Sequence, residues 1–152
     1  MLTRWRAALL YSAVIRPIRV GKVLLADRLW PPLEVASRYV GAFGGRLARP
    51  LLMRSSSSKA RLEALLRFTE LAEESLGIHG TNEIVDDHTA RRTIQTCPFA
   101  DRIHDVPEFC TIIGCCAGEG AFAAIVPGAE FTVLRTKSQG DDECEYEYRI
   151  PD

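Results

Sequence analysis

The sequence predicts an α+β fold: helices packed on a small antiparallel sheet, preceded by a mostly helical, basic N-terminal extension. Three observations carry this. Leu62, Leu65, Leu66, Leu71 and Leu76 recur at helical spacing in "SKARLEALLRFTELAEESLG", the mark of one apolar helix face. The closing "ECEYEYRI" alternates strictly, with Cys144, Tyr146, Tyr148 and Ile150 on one side and Glu143, Glu145, Glu147 and Arg149 on the other, as a half-buried strand requires. Charge is segregated: residues 1–54 hold ten Lys or Arg against two acids, +8, whereas residues 55–152 sum to −9. With 152 residues the chain is long enough to bury a core without staples.

In chain order, residues 5–30 read as one or two helices, broken or ended near Arg16-Pro17, because proline disfavours helical geometry in the residue before it. "AALLYSAVI" leads into "RPIRVGK", so a small-residue signal-peptide cleavage site is missing and a cytoplasmic location is expected, with peripheral membrane association open. Arg16, Arg19, Asp27 and Arg28 interrupt every run long enough to span a bilayer. "WPPLEV" is expected to stop a helix at Trp30, and the glycine-rich "GAFGGRLARP" to bend or turn tightly. With the low-complexity "RSSSSK" it marks a boundary between a basic extension, 1–54, and a body, 55–152.

The body opens with the leucine-rich helix, capped by a serine and closed by Gly77. "TNEIVDDHTARRTIQT" reads as a turn followed by a strand reaching Cys97. Asp105 and Glu108, with Pro107 between them, form a D-x-x-E box opening a helix that Pro127-Gly128 ends. "EFTVLRT" and "ECEYEYRI" around the loop "KSQGDD" make a β-hairpin.

Four of five cysteines lie within residues 97–116. Without an export signal a disulfide framework is disfavoured. At about 100° per residue, Cys116 shares an apolar stripe with Phe109 and Ile112, so it fills core. Cys110, Gly114, Ala117 and Ala121 form a stripe of small side chains where a strand, a helix or a ligand must come close. The spacing contains no C-x2-C pair, so a transition-metal set of Cys97, Cys110, Cys115 and Cys144 rests on their convergence in the fold. A helix N-terminus lowers the pKa of a nearby thiol, which favours Cys97 and Cys110 as nucleophiles. His104, between them in sequence, is the candidate base, with Asp141 in "GDD" either a turn residue or its polar partner. Cys144, Tyr146 and Cys115 are candidate ligand contacts.

"CPFA" at 97–100, "VPEFC" at 106–110, the pair 115–116 followed by Glu119, "PG" at 127–128 and "GDDEC" at 140–144 together resemble the L-2-amino-thiazoline-4-carboxylate hydrolase-like family over about residues 60 to 150. That resemblance implies hydrolysis of a small C=N-containing ring, with Cys97, Cys110, Cys115, Asp141 and Cys144 matching the recurring positions. The last hairpin is also similar to vinyl-reductase-type ligand-binding domains related to a vesicle-tethering subunit fold, which implies binding of an apolar small molecule.

Three functions are therefore expected in turn. The first is a hydrolase in which a thiolate of Cys97 or Cys110 attacks the C=N carbon while Asp141 or His104 manages the proton. The second is a non-catalytic ligand-binding subunit docked on a membrane surface or a protein partner through residues 1–54. The third is a metal-binding protein. Nucleic acid is disfavoured, because the basic residues are spread out and no recognition motif accompanies them.

Overall fold

The computed structural model describes residue 9 and residues 11–53, 57–103 and 106–152. A π-type turn at Tyr11–Ile15 leads into α1 (Arg16–Leu25), and a 3-10 turn joins it to α2 (Trp30–Leu52). α3 (Ser58–Ser75) is followed by β1 (His79–Ile84), β2 (Thr89–Thr96) and the one-turn α4 (Ala100–Ile103). A second π-type turn, Phe109–Gly114, opens α5 (Cys115–Ile125), and β3 (Glu130–Arg135) and β4 (Cys144–Arg149) close the chain. The strands form one antiparallel sheet in the order β1-β2-β4-β3. The α+β class, with a mostly helical basic first part, is thus observed.

The closing strand behaves as its alternation requires. In β4 Tyr148 faces Ala90 of β2 on one side and Phe131 of β3 on the other. Cys144, Tyr148 and Ile150 are buried, and the ring of Phe122 in α5 meets Tyr148 edge-on at 5.1 Å. Leu62, Leu65 and Leu66 of α3 complete this core with Ile125 and Val126. Ser57 caps α3 by accepting the Ala60 N–H at 3.3 Å, and Gly77 takes the positive φ that ends it. Arg92 of β2, 1% exposed, donates to Glu73 of α3 at 2.6 Å and to Asn82 of β1 at 2.7 Å. A buried guanidinium needs such partners, so this pair locks α3 to the sheet.

Three local expectations change. Trp30 begins a helix instead of ending one: Pro31 and Pro32 stand in its first turn, where a missing N–H costs nothing and φ is already helical. The glycine-rich stretch 41–50 lies in the second half of α2, and the boundary placed after residue 54 falls between α2 and α3. A Cβ at Gly41 would overlap the Ala117 carbonyl, one at Gly45 the Ala121 carbonyl, and one at Gly120 the Arg38 carbonyl. α2 and α5 therefore touch backbone to backbone, and the approaching element along the small stripe of Ala117 and Ala121 is a helix. Finally, residues 79–84 are a strand of their own, which the sequence hid because β1 is polar and nearly all exposed. The box residue Asp105 lies outside the described residues, and Glu108 pairs with Lys22 of α1 at 2.6 Å.

Candidate functional site

The cysteine region is built from three elements. β2 delivers Cys97 just past its last residue, the turn before α5 carries Cys110, with Cys115 at the start of α5, and β4 opens on Cys144. Cys97 and Cys110 pack against the second apolar cluster, formed by Ile15, Trp30, Phe99, Ile103 and Val106. The Cys110 thiol lies within electrostatic reach of Cys97, Cys144 and Cys115, and Tyr146 of Cys144, Cys110 and Cys115. The fold thus gathers these five candidates in one region. All five cysteines are free thiols.

Their chemistry is that of apolar lining. Burial pushes Cys110 up to about 12, with the neighbouring thiols Cys97, Cys144 and Cys115 adding to it, and burial likewise raises Cys115 to about 12. Cys97 is also raised, chiefly by desolvation. The helix-terminus effect expected to activate Cys110 is absent for a geometric reason. The N–H groups of Phe109, Cys110 and Thr111 already donate to the carbonyls of Val106 and Pro107, so none of these backbone donors is free for the thiol, and the hydrogen bond it receives from the Ser138 side chain lowers it less than burial raises it. At neutral pH these are protonated thiols and poor nucleophiles. Cys115 donates its S–H to the Cys110 carbonyl at 3.1 Å, and the Cys144 sulfur accepts the Lys137 N–H at 3.3 Å.

Asp141, one of the two proposed acid–base partners, serves the turn before the last strand. Asp141 is exposed, and its Oδ2 accepts the Thr136 N–H at 2.8 Å; with Gly140 at φ 104° it shapes the turn before β4. His104 lies outside the described residues. Among the described residues no three His, Cys, Asp or Glu side chains stand in a group that could hold a metal ion, so the set Cys97, Cys110, Cys115 and Cys144 is not drawn together as a metal centre. Cys116 is buried in the helix layer as expected, with Arg38 Nη2 3.9 Å from its sulfur.

A different surface stands out. Val35, Tyr39, Phe43, Leu47 and Leu51 follow one another every four residues along α2 and are 56%, 74%, 64%, 61% and 78% exposed. Because Gly41 and Gly45 turn inward, these large side chains point away from the molecule. The i, i+4 spacing is legible in the sequence, but the glycines between the apolar residues read as a turn and hid it. No helix of the described residues is long and apolar enough to cross a membrane.

The fold and site define helices packed on a four-stranded antiparallel sheet, carrying an outward apolar helix and buried cysteines. A solved structure described as a trafficking protein particle complex subunit 3 from Naegleria fowleri, covalently bound to palmitic acid, is similar to the chain with a TM-score of 0.57 and 18% identity, over 99% of this chain and 95% of that one. At that identity the likeness shows the fold. Neither a protein-family model nor a curated protein sequence matches the chain. The resemblance to thiazoline-carboxylate hydrolases is therefore corrected: a structure similar over nearly the whole chain is described as a trafficking-complex subunit, and the thiols of Cys97, Cys110 and Cys115 are raised by burial, opposite to what a nucleophile needs. The scattered cysteine and glycine positions that suggested a hydrolase serve turns and packing.

Proposed function

We propose that the chain is a non-catalytic subunit that docks on a partner protein through the outer face of α2. One observation carries this reading: the five large apolar side chains from Val35 to Leu51 stand exposed on a helix whose opposite face is fixed to α5. From Val35 to Leu51 the helix rises about 24 Å, a rigid apolar strip of the kind that helix-in-groove recognition uses and that a monomer rarely leaves bare. Arg46 and Arg49 lie along one edge, so the partner fitting this face has an apolar groove with an acidic rim. The similar fold of a protein described as a complex subunit supports the reading.

The test is the native mass of the full chain isolated gently from its own source. A stoichiometric complex with one second protein, broken by Phe43→Asp at unchanged circular dichroism, is expected. A monomer, or a complex indifferent to Phe43→Asp, would overturn it.

A second reading concerns the thiols. Cys97 and Cys110 lie against the second apolar cluster, and the raised Cys110 and Cys115 mark dry surroundings. An apolar single-chain ligand seated there, beside Cys144 and Tyr146, fits that chemistry, and the similar structure holds palmitic acid. Intact mass under native and denaturing conditions, with and without hydroxylamine, reports it; no organic mass in any of these conditions excludes it.

A further inference from the structure

The outer face of α1 is chemically unlike that of α2. At about 100° per residue, Arg16, Arg19, Val20, Val23 and Leu24 fall within one side of the helix, and the same five residues line a shallow groove there. Val20, Val23 and Leu24 are 54%, 80% and 76% exposed. The opposite side holds α1 down. Ile18 packs on the second apolar cluster, and the Lys22 ammonium meets the Glu108 carboxylate at 2.6 Å. No acid occurs anywhere in residues 1–26, while Arg4, Arg6, Arg16, Arg19 and Lys22 do.

We infer that α1 is an interfacial helix that lays this face on an anionic lipid surface. The apolar side chains are few and surface-borne, which suits shallow burial at the boundary between headgroups and acyl chains. The stem of the exposed Arg16 lies along apolar surface while its guanidinium is placed to reach outward to phosphate. The sign of the charge selects the lipid. A +8 segment on a body of −9 orients the molecule with α1 toward a negative surface and the acidic body away from it. The contact is separate from the α2 interface of the proposed function, because it uses another helix and none of the residues between Val35 and Leu51.

Flotation of the full chain with phosphatidylcholine vesicles containing about 30% phosphatidylserine, against pure phosphatidylcholine, tests it. Binding to the anionic vesicles that weakens as salt is raised is expected. Val23→Asp combined with Leu24→Asp should lower it by more than about tenfold, and Arg16→Glu by about fivefold or more, both without a change in thermal midpoint. Should the double variant fail to fold, Arg16→Glu, at an exposed position, decides alone. Phe43→Asp, which tests the α2 interface, should leave vesicle binding intact. No binding by the full chain, equal binding to both vesicles, or binding kept by the folded variants would overturn the inference. So would a dimer of the full chain that the Val23 and Leu24 changes convert to monomer, since a second copy would then cover the face.

Discussion

α2 and α3 are both long helices laid against the body, and they use their side chains in opposite ways. α3 packs with bulk: Leu62 and Leu65 are fully buried, and its acidic residues Glu63 and Glu74 face solvent. α2 packs with absence. Gly41 and Gly45 bring its backbone onto α5, and its bulk, from Val35 to Leu51, faces out. A helix can thus be anchored by what it lacks, and one anchored in that way keeps its large apolar residues for something else. The difference separates a structural helix from one built to carry an interface.

Gly41→Val should break the comparison most severely. No rotamer relieves a Cβ that overlaps a backbone carbonyl, so α2 must leave α5; a loss beyond about 5 kcal/mol, comparable with the whole stability of a small domain, is expected in denaturant unfolding. Leu65→Ala in α3 should cost about 3 kcal/mol, the cavity left by a fully buried leucine, with the chain still folding cooperatively. Gly44→Ala reverses the sign. Its added methyl would meet only Phe68, at 4.0 Å, so a gain of about 0.5–1 kcal/mol in unfolding free energy is expected from helix propensity. If Gly44→Ala were as damaging as Gly41→Val, the glycines would matter as a flexible segment and the close-packing account would fail. Phe43→Ser should move the unfolding midpoint least, by under about 0.5 kcal/mol, because its ring lies on the surface; a larger loss would mean that the outer face of α2 belongs to the core.

How far the fold was legible follows the range of the interactions. The β-hairpin from Glu130 to Arg149, the serine cap of α3 with its inward Leu62, Leu65 and Leu66, and the inward Cys144, Tyr148 and Ile150 are written in patterns of two to four residues and are observed, whereas Leu71, expected on the same stripe, is 49% exposed. β1 was missed because an exposed polar strand carries no alternation. α2 was missed because glycine has two meanings: freedom to turn, or room for a neighbour. The candidate site was the least legible part. The order of Cys97, Cys110, Cys115 and Cys144 resembled that of a hydrolase, and residue spacing does not register how dry a thiol is.

By itself the sequence determined the class, the charge asymmetry and the closing hairpin, because these depend on composition and on local periodicity. Tertiary structure alone decided which face of α2 turns inward, since the carbonyls of Ala117 and Ala121 that require Gly41 and Gly45 belong to a helix far along the chain. It also decided that burial raises the thiols of Cys97, Cys110 and Cys115. Desolvation is a property of everything packed around an atom, and the carbonyls of Val106 and Pro107 take up the very N–H groups that would have lowered the pKa of Cys110.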